Sequence, residues 1–141
     1  MATDEVYAWE DEWYDWGANT CSLRECRRLI ATACAKFHLA PPVVTQHHKA
    51  SMSWCIPSHG RISLQAKGSR PGRGGKNPAT ALHEAAHYIA WAHHGNRIDD
   101  HGPTFLGYYM YLLKAAAIAP ETALHATARK HGLRWITVKK P

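Results

Sequence analysis

The stretch "ALHEAAHYIAWAHHGNRIDDHGPTF" (residues 81–105) holds five of the chain's eleven histidines and constrains the fold more than any other segment. Within it His83, Glu84 and His87 spell the pattern H-E-x-x-H. On a helix, residues four apart stand one turn apart on the same face, so His83 and His87 can aim two imidazoles at one ion. Glu84 points about 100° away around the helix and can reach a water held on that ion without being a ligand. Two neutral nitrogens that fix zinc, and a carboxylate that takes a proton from its water, are the parts of metal-assisted hydrolysis. Zinc then supplies a nucleophile near neutral pH and polarises a carbonyl.

The flanking residues predict that the pattern is helical. Asn77 is a good N-cap, and Pro78 follows at the first helical position. The helix runs through Trp91 and stops by Gly95. A loop, "GNRIDDHG", comes next, and Pro103 starts another helix with Phe105, Leu106, Tyr109, Leu112, Leu113 and Ala116 on one face.

Two histidines leave a catalytic zinc one protein ligand short. His94 shares the face of His87 but lies seven residues along, about 10 Å of rise, so it cannot join both. His93 has the spacing of a metzincin third histidine, yet Ala90 stands where that pattern turns on a glycine. The helix therefore continues and swings His93 away. Asp99 and Asp100 can ligate through oxygen, and the loop lets them. His101 ends the loop, directly before the Gly-Pro helix start that would hold it firmly. It ranks first as third ligand, Asp99 or Asp100 next, and His93 last.

Elsewhere the chain reads as helices around a few strands. "SLRE" at Ser22–Glu25 is a capping box, and Leu23, Cys26, Ile30, Ala33 and Phe37 recur at helical spacing until Pro41-Pro42. Strand-like pieces follow at 43–48, 51–56 and 61–66, the last two joined by "PSHG" as a hairpin turn. "KGSRPGRGGK" (67–76) breaks all periodicity and reads as a mobile, basic loop. Pro120 begins a further helix that Gly132 ends, and "LRWITV" (133–138) is predicted to be a final strand. His47, His48, His59, His125 and His131 read as surface or capping residues.

At 141 residues the chain suits one hydrophobic core, and 45% apolar residues exclude a disordered chain. No run is long and apolar enough for a transmembrane helix, and the acidic, aromatic start is wrong for a signal peptide. A cytoplasmic protein is expected, with no membrane partner. Cys21, Cys26, Cys34 and Cys55 form no C-x-x-C pair, which argues against a zinc ribbon, and they are expected to be reduced.

Charge is unevenly spread. Residues 1–16 hold six acids and no Lys or Arg; the rest holds all 17 bases and five acids, a net of +12. Such a body can attract nucleic acid, here through residues 67–76, although its bases are dispersed and a solvated loop is favoured. Trp9, Trp13 and Trp16 fit helical spacing in the acidic opening, so residues 1–17 are expected to dock, on the chain's own basic body or on a protein partner.

"HEAAH", a loop, and "HGPTF" leading into an apolar helix together resemble the SprT-like zinc metallopeptidases, which share H-E-x-x-H with a later His-Gly-x-x-Phe. The likeness is closer still to small zinc metallohydrolases of actinobacteria and their phages. It spans about residues 22–138 in order of elements and is specific in residues 79–113. It implies that His83, His87 and His101 are the three zinc ligands and Glu84 the general base. If the chain is phage-encoded, the cytoplasm is the host cell's. SprT-like proteins carry a C-terminal zinc ribbon or DNA-binding tail that is not read in these residues, so DNA-crosslink protein repair is not among the expectations carried over.

The sequence thus predicts an α+β, zincin-like fold, with a small antiparallel sheet packed on helices that include the H-E-x-x-H helix. Residues 1–17 form an arm and 18–141 the catalytic domain. The expected activity is zinc-dependent hydrolysis of a peptide or protein, with Glu84 deprotonating the water. The oxyanion helper is open among Tyr88, Tyr108, Tyr109, Tyr111 and the arginines of the loop. The alternative is a zincin-fold binding or structural module, for example a phage component whose aromatic arm grips a neighbouring chain.

Overall fold

The computed structural model describes residues 2–16, 20–49, 52–66, 75–96 and 98–139. Its helices are α1 (Ala2–Trp13), α2 (Leu23–Lys36), α3 (Pro78–His94), α4 (Pro103–Ala115) and α5 (Glu121–Lys130). Strands β1 (Val43–His47), β2 (Trp54–Ile56) and β3 (Arg61–Gln65) lie between α2 and α3. The class is α+β.

Local signals set most boundaries. Ser22 caps α2 by accepting from the Glu25 backbone N–H at 3.1 Å, and the Glu25 side chain accepts from the Ser22 N–H at 3.1 Å. Cys21 and Cys26 flank that cap with their sulfurs 3.0 Å apart, and all four cysteines are unbridged. α2 stops at Lys36, earlier than Pro41-Pro42 suggests. His38 turns left-handed (φ 58°), and the Leu39 N–H reaches back to the Cys34 carbonyl at 3.0 Å. Asn77 caps α3 through the Thr80 N–H at 2.9 Å, as expected.

α3 is the centre of the molecule. It packs against α2, α4 and the sheet, and residues 81–86 are buried without a break. A helix covered on every side needs small side chains where its neighbours come closest. Ala79, Ala81, Ala85, Ala86 and Ala90 supply them.

The sheet corrects the expectation of an antiparallel one. Its order is β1-β3-β2, with β2 antiparallel to β3 but β1 parallel to it, Val43 facing Arg61 and His47 facing Gln65. The β2 hairpin arm falls inside the crossover from β1 to β3, which makes that link long enough for parallel pairing. Side-chain alternation marks a strand but not its direction.

Residues 133–138 are not a strand. The segment finds no ladder among the described residues and lies along α4 instead, with the Ile136 N–H on the Pro103 carbonyl at 3.1 Å. It comes so close to Gly107 that a Cβ there would stand 2.5 Å from both Ile136 Cγ1 and the Ile136 carbonyl oxygen.

α1 docks on the chain's own body, one of the two expected outcomes. Val6 and Trp9 are fully buried in the same core as α2 to α5. The Trp9 indole donates to Thr127 Oγ1 at 3.0 Å, and Glu12 pairs with Lys130 at 2.6 Å. Most of loop 67–76 lies outside the described residues.

Gly107→Ala adds helix propensity but must displace backbone at Ile136. It is expected to lower stability by about 1–3 kcal/mol in chemical denaturation. A stabilised variant would show that the 133–139 segment does not lie on α4.

Candidate metal centre

α3 carries His83 and His87 one turn apart on the face turned to α4, with ring centroids 5.1 Å apart. Gly95 then ends the helix at φ 70°, and the loop returns His101 over that face. His101 Nε2 lies 3.0 Å from His83 Nε2 and 3.2 Å from His87 Nε2. The three residues offer ligand atoms within 4.8 Å of one another, close enough to hold one metal ion.

The motif that follows His101 has a mechanical purpose. Gly102 sits so tightly against the loop that a Cβ on it would be 2.7 Å from Asp99 Cβ. Phe105, three residues into the "GPTF" turn, puts its ring against all three imidazoles. It stacks on His87 at 4.2 Å and lies 4.9 Å from His83 and 5.0 Å from His101. One aromatic floor therefore sets the height of three rings.

Three facing nitrogens cannot satisfy one another with their own protons. His83 Nδ1 is bonded to Glu10 Oε2 at 3.1 Å, and an ionised carboxylate only accepts. With Glu10 ionised, the proton sits on Nδ1 and the Nε2 lone pair is left for an ion. Burial, followed by the neighbouring His83 and His101, holds His87 well below the usual histidine range. Burial, followed by His83, lowers His101 as well. Neutral imidazole is the form that binds metal. Tetrahedral zinc with bonds of about 2.0–2.1 Å separates its nitrogen ligands by roughly 3.3–3.4 Å, close to the 3.0 and 3.2 Å at which His83 and His87 stand from His101. The donor set fits such an ion.

Glu84 is buried beside this cluster. Burial is the largest influence and pushes its carboxyl up to about 7; His83 opposes the rise, and Glu10 and Asp100 add to it. A cation among the histidines would draw it back down. Asp100 is 82% exposed on its side chain and touches only the far nitrogens, 3.6 Å from His87 Nδ1 and 3.9 Å from His101 Nδ1. The Asp99 carbonyl closes the turn to the Gly102 N–H at 3.2 Å. His93 stacks on Tyr108, and His94 Nε2 bonds the Tyr108 hydroxyl at 3.0 Å. Of the ranked third ligands, only His101 enters the cluster.

A cavity of about 390 Å³ opens over the triad. Glu10, Glu84 and Asp100 give it acidic character, Trp54 and Trp91 give it apolar walls, and no Lys or Arg lines it among the described residues. Tyr7 also lines it, with its ring 5.6 Å from that of His101 and 6.4 Å from that of His83. None of the four tyrosines expected as helpers does so. Tyr88 donates to the Ala40 carbonyl, Tyr108 pairs with His94, Tyr109 donates to Glu10, and Tyr111 packs on Phe37. The loop arginines lie outside the described residues.

Sequence reasoning missed Tyr7 and Glu10. One signal for Glu10 was present: Val6, Trp9, Glu10 and Trp13 stand at i, i+3, i+4 and i+7, so an acid interrupts an apolar stripe.

No known protein family, curated protein or solved structure matches the chain. No helix among the described residues is long and apolar enough to cross a membrane.

Elemental analysis after loading is expected to find about one metal ion per chain. His83→Ala, His87→Ala and His101→Ala should each lose it, while Asp100→Ala should keep it. Retention by His101→Ala at full affinity would remove that residue from the ligand set.

Proposed function

We propose that this chain is a zinc-dependent hydrolase of the zincin type, acting on peptide bonds. The observation that carries the reading is the convergence of three histidine Nε2 atoms beside the buried Glu84. An all-imidazole donor set suits zinc, and three protein ligands leave a fourth position for chemistry. A purely structural site would have no need of Glu84. The pairing of "HEAAH" with "HGPTF" supports kinship with SprT-like peptidases and with the small actinobacterial and phage enzymes. The α+β class and the small sheet against α3 are compatible with a zincin fold. The cytoplasm, of the host if the gene is a phage's, is the proposed compartment.

Zinc, when bound, supplies Lewis acidity that makes water nucleophilic near neutral pH and polarises a carbonyl. Glu84 accepts the proton from that water and returns it to the leaving amine. Tyr7 is the tyrosine on the cavity wall and takes the role of donor to the developing oxyanion. β2 borders the cavity through Trp54 and Cys55 and has β3 on one side only among the described residues. Met52, Trp54 and Ile56, at every second residue, leave large apolar side chains exposed there. An extended peptide can pair with that edge and cover them.

Glu84→Gln is expected to keep fold and zinc but to lower kcat by about 10²–10⁴-fold on a fluorogenic peptide panel. Tyr7→Phe should keep zinc and lower kcat by about 10²-fold with little change in KM. A wild-type chain as inert as Glu84→Gln on a broad peptide and protein panel would sink the peptidase reading.

A further inference from the structure

Glu10 is an acid on the wrong side of its helix. α1 turns Val6, Trp9 and Trp13 toward the core, and Glu10, 1% exposed, is part of the same stripe. The other acids of the segment face elsewhere: Asp4 and Glu5 are exposed, Asp11 accepts from the Trp16 indole at 2.9 Å, and Glu12 pairs with Lys130. A carboxylate is costly to bury unless hydrogen bonds and charge compensate it. Glu10 Oε2 accepts the Tyr109 hydroxyl at 2.5 Å and the His83 Nδ1–H at 3.1 Å. It therefore grips His83 by the nitrogen opposite the one that faces His101.

We propose that Glu10 is a positioning residue for metal loading, acting through His83, and that docking of α1 and loading of the centre are one coupled equilibrium. This rests on the metal-centre reading above. With α1 docked, Glu10 selects the Nδ1–H tautomer of His83, orients the ring and raises the basicity of Nε2. A cation on Nε2 makes the Nδ1–H a stronger donor, and its bond to a carboxylate is then charge-assisted. Each event favours the other by the same factor, because linkage between two equilibria is reciprocal. The coupling reaches the cavity as well. Tyr7 and Glu10 of α1, and Trp16 just beyond it, form one wall, so a metal-free centre with α1 loosened loses that wall.

The test uses Zn²⁺ as probe and the full chain. Affinity is read by competition with a chromophoric chelator for wild type, Glu10→Gln and Glu10→Leu. Gln keeps an acceptor but no charge, and Leu removes both while filling the space with apolar atoms. The coupling predicts that Glu10→Gln binds zinc about 10–100-fold more weakly, and Glu10→Leu at least as weakly. The metal-free unfolding midpoint should fall in Glu10→Leu, which strands the Tyr109 hydroxyl and the His83 Nδ1–H, and fall less in Glu10→Gln, which keeps an acceptor. A residue that only packs would lower the midpoint alone, with zinc affinity of the folded chain unmoved. Hydrogen exchange on wild type is the second measurement and holds even if a variant fails to fold. Zinc should slow exchange of amides 4–13 more than those of α2. Unchanged affinity in both variants, or equal slowing in α1 and α2, overturns the proposal alone. A wild-type chain that binds no zinc overturns the metal-centre reading with it.

Discussion

Three imidazole nitrogens crowd one point, and the rest of this structure is arranged to hold them there. His101 Nε2 stands 3.0 and 3.2 Å from its two neighbours, and one shared proton can satisfy only one of those contacts. The rings keep their positions because other groups fix them. Phe105 lies under all three, Gly102 draws the loop tight against Asp99, and Glu10 holds the back of His83. Preorganisation of this kind puts the entropic cost of ordering the ligands into folding rather than into metal binding.

The same demand explains the composition of α3. A helix that carries ligands on one face and is packed by α2 and the sheet on the others has no solvent side through its middle turns. Large side chains would push those neighbours away and open the cluster to water. Five buried alanines let α4 come close enough for Phe105 to reach the histidines. Burial also raises the proton affinity of Glu84 and lowers that of His87 and His101, so one packing arrangement shifts the carboxyl and the imidazoles toward their neutral forms. The cavity is acidic although the chain is basic overall, because packing turns Glu10 and Glu84 inward and the exposed Asp100 also lines it.

What the sequence disclosed is what short-range chemistry encodes. The Ser22 box, the Asn77 cap, the proline starts of α3 and α4 and the four-residue spacing of His83 and His87 each act within one or two turns. Helical rise removed His94, and the alanine at position 90 removed His93, from residue identity alone. His101 needed a loop geometry that the Gly-Pro pair signals only indirectly. The parallel pairing of β1 was illegible because alternation carries no direction. The 133–138 segment has strand-like residues but is drawn onto α4 at Gly107, where a missing side chain, not a pattern, decides the contact. Tyr7 and Glu10 lie in a helix that was recognisable by spacing, but its partner surface was not.

The separations along the chain explain why that last piece stays hidden and why it matters. His83 and His87 are local to each other, and His101 is 18 residues beyond His83, so those three can approach once α3 and α4 form. Glu10 meets His83 across 73 residues and Tyr109 across 99, and Trp9 meets Thr127 across 118. Closing such loops requires nearly the whole chain to be ordered first. A helical hairpin of α3 and α4 would bring the ligands together without the acid that orients them. The contact that orients His83 therefore belongs to the completed fold, and under the coupling proposed above metal affinity would report on the docking of the first helix against the last.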